Sequence, residues 1–331
     1  MKKINTKIIE TGDKMYKKIV IMGGGTGLSY LLKGLKNFPV EITAVITVSD
    51  NGRSTGILRK EFGTPAVGDI RKVITSLSNI DEPIKKMLEY RFNTSSDLDG
   101  HAMGNLILTS MLEITGSLKE SIACLSKLLD VKHKVLPISE DSNLTLMGKT
   151  NAGEIIEGEE QITKAHKQME KIYYKNEPTV LPEVITAINE ADLIIFSMGS
   201  LYTSILPNII CKDVNAALSN TKAPIMYLCN AMTQPGETDH YTVSDHVNLL
   251  NKYLGLRKID VVIASNTVIN KTIAKKYETE EEKDPVQIDY AKLQALNTEL
   301  IEDDLIIVED NTLRHDSMKL SSLIFSYLMR G

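Results

Sequence analysis

Lys18-Ile-Val-Ile-Met-Gly-Gly-Gly-Thr-Gly-Leu28 is an apolar run that breaks on four glycines in five residues and continues as Leu28, Leu31, Leu32 and Leu35 at helical spacing. A short unbroken apolar run reads as a strand covered on both faces, and strand, tight turn and helix together form one unit of a parallel α/β sheet. Working outward, similar runs stand at Ile42–Ser49, Leu193–Ser197, Pro224–Leu228, Asp260–Ala264 and Leu305–Val308. Helical periods follow several of them, as at Val243-Val247-Leu250-Leu254 and Leu320-Ile324-Leu328. Strand alternating with helix predicts an α/β fold with a doubly wound, mostly parallel, Rossmann-like sheet.

Two stretches depart from that alternation. From about 67 to 130 the pattern is helical throughout, which predicts a helical insertion. From about 135 to 165 the short segments Val135–Ser139, Leu144–Gly148 and Glu154–Glu160 predict a small β-rich region beside the core. A single domain is expected over 16–331, preceded by an extension at 1–15, with Met15 an alternative start.

The chain has 331 residues, 42% of them hydrophobic and 24% charged, with a net charge of −5. That balance fits a folded soluble protein and argues against a surface adapted to nucleic acid. Cys124, Cys211 and Cys229 are too scattered for a disulfide framework or a zinc site, and no secretory apolar block precedes Lys18, so a cytoplasmic location is expected. The uncharged stretch Leu193–Cys211 is long enough to span a bilayer but is rich in Ser, Gly, Thr, Pro and Asn; it reads as strand, turn and helix, with no membrane span expected.

Gly23, Gly24, Gly25, Thr26 and Gly27 open a helix where backbone N–H groups and the helix dipole can hold an anion. No Gly-Lys-Ser/Thr follows, so this is not a nucleotide triphosphatase loop. Leu28 replaces the third glycine of the dinucleotide fingerprint, while Asp50 ends the second run near the place of a ribose-binding acid. An NAD(P)-dependent oxidoreductase therefore remains a weaker alternative. The loop Ser49-Asp50-Asn51-Gly52-Arg53-Ser54-Thr55-Gly56 can grip phosphate or sugar, and Gly68-Asp69-Ile70-Arg71 adds an acid and a base at a helix start. His101 and Asn105 sit between and after glycines at the entrance of another helix. Later strand ends bring Ser200, Asn208, Asn230, Thr233, Gln234 and Asn266, which a parallel sheet would gather at its carboxyl edge. Arg314 is a candidate phosphate clamp and Tyr277 a candidate stacking group.

Gly23-Gly-Gly-Thr-Gly27, Ser49 to Gly56, Gly68-Asp-Ile-Arg71, Gly100-His-Ala-Met-Gly-Asn105, Pro207-Asn208 and Asn230 to Thr238 together resemble the superfamily joining 2-phospho-L-lactate transferases to YvcK-like gluconeogenesis factors. The resemblance runs from Gly23 to about Asp316 and is greater to the YvcK branch. It implies a regulatory protein that binds UDP-sugars such as UDP-N-acetylglucosamine, supports growth on gluconeogenic carbon sources and cell-wall morphogenesis, and turns nothing over. Protein partners in cell-wall synthesis and a homo-oligomer fit that role. The other branch implies a transferase using Mg²⁺, with Asp50 and Asp69 as its metal-binding candidates. Asn51 stands where many relatives carry a second Asp, which counts against that alternative.

Overall fold

The computed structural model describes residues 16–309 and 312–330; the extension read at 1–15 lies outside the described residues. Chain order gives β1 (Lys17–Gly23), β2 (Val40–Ile46) and β3 (Lys134–Pro137), then β4 (Leu146–Thr150), β5 (Ile155–Glu157) and β6 (Met169–Tyr174). There follow β7 (Leu193–Phe196), β8 (Ile225–Leu228), β9 (Val261–Ser265), β10 (Glu299–Asp303), β11 (Ile306–Glu309) and β12 (Thr312–His315). Seven of these make a parallel sheet in the order β10-β9-β8-β7-β1-β2-β3.

Every residue of β7 and β8 is buried, as are Ile19 to Gly23 of β1, because helices cover both faces of the sheet. Helix α1 (Gly25–Leu35) buries Leu28, Leu31, Leu32 and Leu35. The expected helical insertion is present as α2 (Arg53–Phe62), α3 (Gly68–Leu77), α4 (Glu82–Glu89), α5 (Met103–Thr115) and α6 (Leu118–Leu128), although α2 already starts ahead of it. The short helix α7 (Glu159–Lys164) follows β5.

Three strand readings need correction. Val135–Ser139 does not belong to the small β region: β3 pairs parallel with β2 and forms one edge of the main sheet. The small sheet, ordered β5-β4-β6, reaches past 165 to take in β6. Leu305–Val308 is not a strand of the main sheet; β11 pairs antiparallel with β12 in a separate two-stranded sheet, and the far edge of the main sheet is β10, Glu-Leu-Ile-Glu-Asp. Only Ile301 of β10 is buried, since an edge strand needs few apolar residues and is protected by charge. Leu193–Cys211 forms β7, a turn and two short helical segments, and no helix among the described residues is long and apolar enough to cross a membrane.

Candidate functional site

The strand order reverses between β1 and β7, so the crevice between their carboxyl ends is the expected ligand position. Protein fills it. A Cβ on Gly27 would stand 2.1 Å from the Met198 carbonyl oxygen, and one on Gly24 would stand 2.6 Å from Ser204 Oγ. The Gly25 N–H, expected to meet a phosphate, donates to Asp69 Oδ2 at 2.7 Å. Asp69 thus caps α1 from across the fold. Its other oxygen accepts from Lys72 Nζ at 2.9 Å, and Lys72 also reaches Thr26 Oγ1 at 3.3 Å.

Open space lies on either side of this knot. An inner cleft of about 510 Å³ runs between the ends of β2, α2, α3 and α7. Arg53, Arg71, Lys72, Arg91 and Lys164 line it against Asp50, Glu159 and Glu160, so five cations face three carboxylates. Burial, and then the charge of Asp69, raise the Asp50 carboxyl above its ordinary range. Burial and the same two aspartates push Glu159 well above its own.

Arg53 opens α2 with a left-handed φ of 45°, a conformation costly for a side-chain-bearing residue and common at ligand sites. Asn51 turns away from the cleft: its Oδ1 accepts from the Glu160 N–H and its Nδ2 donates to Gln161, both at 2.9 Å, which ties the β2 loop to α7. Ser54 Oγ lies 3.0 Å from His101 Nδ1 and accepts from Asn105 Nδ2 at 3.3 Å. His101 and Asn105 are both buried.

An outer groove of about 590 Å³ lies beyond Lys72, lined by Thr26, Tyr30, Lys33, Lys36, Lys85 and Arg314 among others. Burial, and then repulsion from Lys85 and Lys33, lower the Lys36 pKa. Arg314 sits on β12, its guanidinium carbon 5.5 Å from the Tyr30 ring centre, with Nε 3.8 Å from a Glu309 oxygen. Tyr277 does not face the groove; its buried hydroxyl accepts from the Leu313 N–H at 2.8 Å and holds β12 in place.

The remaining candidates serve their own loops. Ser200 Oγ donates to Glu237, and Asn230 makes two 2.8 Å hydrogen bonds with the backbone of Gly199. Thr233 exchanges hydrogen bonds with the backbone of Asp284. Asn208 Nδ2 donates to the Ser204 carbonyl, while Asn208 Oδ1 and Gln234 Oε1 are buried without partners among the described residues. Asn266 lines a separate cavity of about 370 Å³ with Tyr290. The structure thus joins Asp50, Arg53, Ser54 and Asn105 in one cleft, puts Thr26 and Arg314 in its neighbour, and keeps the loops after β7, β8 and β9 apart from both. Lys72, Arg91, Glu159, Glu160 and Lys164 were missed. Lys72 adjoins a quoted motif, but the others reach the cleft only through tertiary packing.

A family model described as 2-phospho-L-lactate transferase CofD matches residues 19–306. The chain belongs to this family. The gluconeogenesis factor of Bacillus subtilis is 42% identical over 312 residues, covering 94% of this chain and 98% of its own. The gluconeogenesis factor of Halalkalibacterium halodurans is 41% identical over 309 residues, covering 93% and 95%. A crystal structure from Bacillus halodurans, described as a protein member of the upf0052 family, matches with a TM-score of 0.90 at 41% identity, covering 93% of this chain and 99% of that one. The curated relatives are gluconeogenesis factors, as the resemblance implied, and the α/β architecture is that of the solved structure.

The Mg²⁺ of a transferase reading would fall to Asp50 and Asp69, three of whose four oxygens already accept hydrogen bonds within the chain. Both Asp69 oxygens are committed to the Gly25 N–H and Lys72, and Asp50 Oδ1 accepts from the Gly52 N–H at 2.9 Å. Among the described residues no group of three His, Cys, Asp or Glu side chains is placed to hold a metal ion.

Proposed function

We propose that the protein is a cytoplasmic regulator that binds a UDP-sugar, with UDP-N-acetylglucosamine the representative ligand, and passes its occupancy to protein partners in cell-wall synthesis during gluconeogenic growth. The observation that carries the reading is the position of Lys72. Its ammonium lines both basic clefts and is held by Asp69 and Thr26. A diphosphate seated on Lys72 has room for one end of the ligand in each cleft, and cations wait on both sides. The family match and the relatives' name agree with a phosphate-bearing ligand and a role in carbon metabolism.

Calorimetric and thermal titration with UDP-N-acetylglucosamine, NAD and NADP tests the reading. The UDP-sugar should bind saturably and, at about 100 times its Kd, stabilise the fold by roughly 2.7 kcal/mol, while NAD and NADP do nothing. Saturable NAD(P) binding without a UDP-sugar response would sink it.

A further inference from the structure

Arg71 is 5% exposed and lines the inner cleft with no carboxylate bonded to it. Its Nε donates to Asn105 Oδ1 at 2.9 Å and one terminal nitrogen approaches the Leu88 carbonyl at 3.4 Å. The other terminal nitrogen has no partner among the described residues. A buried cation is ordinarily paired, because desolvation opposes the charged form; here burial lowers the Arg71 pKa and Arg91 repels it further.

The surroundings are arranged to keep this unpaired state. A Cβ on Gly104 would stand 2.6 Å from Arg71 Cδ and 2.8 Å from the Leu88 oxygen, so glycine alone lets the arginine stem cross the start of α5. Asn105 could in principle point either end of its amide at the guanidinium. Its Nδ2 is held by Ser54 Oγ, which His101 anchors in turn, so the oxygen faces Arg71. A neutral amide orients the guanidinium without forming an ion pair with it, and Glu89 and Asp69 act on it only through space. We propose that Arg71 is a preorganised anchor for a phosphoryl group of the bound ligand, with Asn105, Ser54 and His101 as positioning residues behind it. The excess of cations over carboxylates in this cleft favours a diphosphate, with two charges in all, over a single carboxylate. The inference rests on the nucleotide-sugar reading only for the identity of the whole ligand.

Asn105→Asp puts the missing carboxylate where the amide oxygen now stands. Calorimetry with inorganic phosphate should show saturable binding to the wild type, no competition from acetate, and a Kd at least tenfold higher in Asn105→Asp. The melting temperature of Asn105→Asp without ligand should hold or rise, a combination that mere structural damage does not produce. Arg71→Lys, which keeps the charge and loses the planar fork, should also weaken phosphate several-fold. An unchanged phosphate Kd in both variants, or no saturable phosphate binding by the wild type, would overturn the anchor. UDP-N-acetylglucosamine is titrated in parallel. Phosphate binding that Asn105→Asp weakens, in a wild type that ignores the UDP-sugar, would refute the nucleotide-sugar reading and uphold Arg71.

Discussion

At Gly25 the group in close approach is a carboxylate of the chain itself, Asp69. A Cβ there would lie 2.2 Å from Asp69 Oδ1 and 2.9 Å from Asp69 Cα, and the second atom is backbone that cannot swing aside. Gly25→Ala should therefore lower stability by about 1–3 kcal/mol with no ligand present, measured as a shift in denaturation midpoint. An unchanged midpoint would show that α3 can withdraw freely, and the close packing would then carry no energy. The glycine pattern was legible because it is local. The carboxylate that fills the space was not, because it comes from a helix 44 residues further along the chain.

At the scale of elements, strands with two covered faces announced themselves, and edges did not. Leu193–Phe196 and Ile225–Leu228 are apolar because both faces are covered, whereas β10 buries only Ile301 and carries three acids. The apolar segment after it then attracted the strand reading that β10 should have had. That segment instead makes the hairpin that brings Arg314 beside α1 and the Thr26 side of the glycine loop. Arg314→Ala should raise the Kd for UDP-N-acetylglucosamine by about 10- to 150-fold, the loss of a charge-assisted hydrogen bond of roughly 1.5–3 kcal/mol. Arg314→Lys should fall between, since lysine restores charge without the fork. The Arg314–Glu309 contact is long and about half exposed and contributes little, so the melting temperature without ligand should stay within a degree or two in both variants. Equal affinity in all three proteins would remove Arg314 from the site.

For the whole molecule, two buried groups set opposing pH dependences. Burial pushes Glu237 up to about 7 from an ordinary 4.5. As pH rises through that window the unfolded chain releases this proton first, so the folded state loses up to about 1.4 kcal/mol per unit. Burial lowers His246 below its usual 6.5, so its contribution is present above 6.5 and is lost as pH falls. Glu237→Gln, which still offers Ser200 an acceptor, should match the wild type at pH 4.5 and exceed it above pH 7, by denaturant titration across that range. Equal stability at pH 8 would mean that Glu237 ionises normally. The inner cleft is a whole-molecule feature in the same sense: Asp50, Ser54 and Asn105 stood in visible motifs, while Arg91 and α7 are delivered by the helical insertion and the small sheet. The knot of Asp69 and Lys72 also gives the protein a natural spectroscopic reporter. An amide proton held at 2.7 Å by a carboxylate resonates far downfield, and glycine nitrogens occupy a sparsely populated region of the spectrum. Any phosphate that draws Lys72 away from Asp69 alters that bond, so the Gly25 cross-peak should move as the site fills, with no label attached to the ligand.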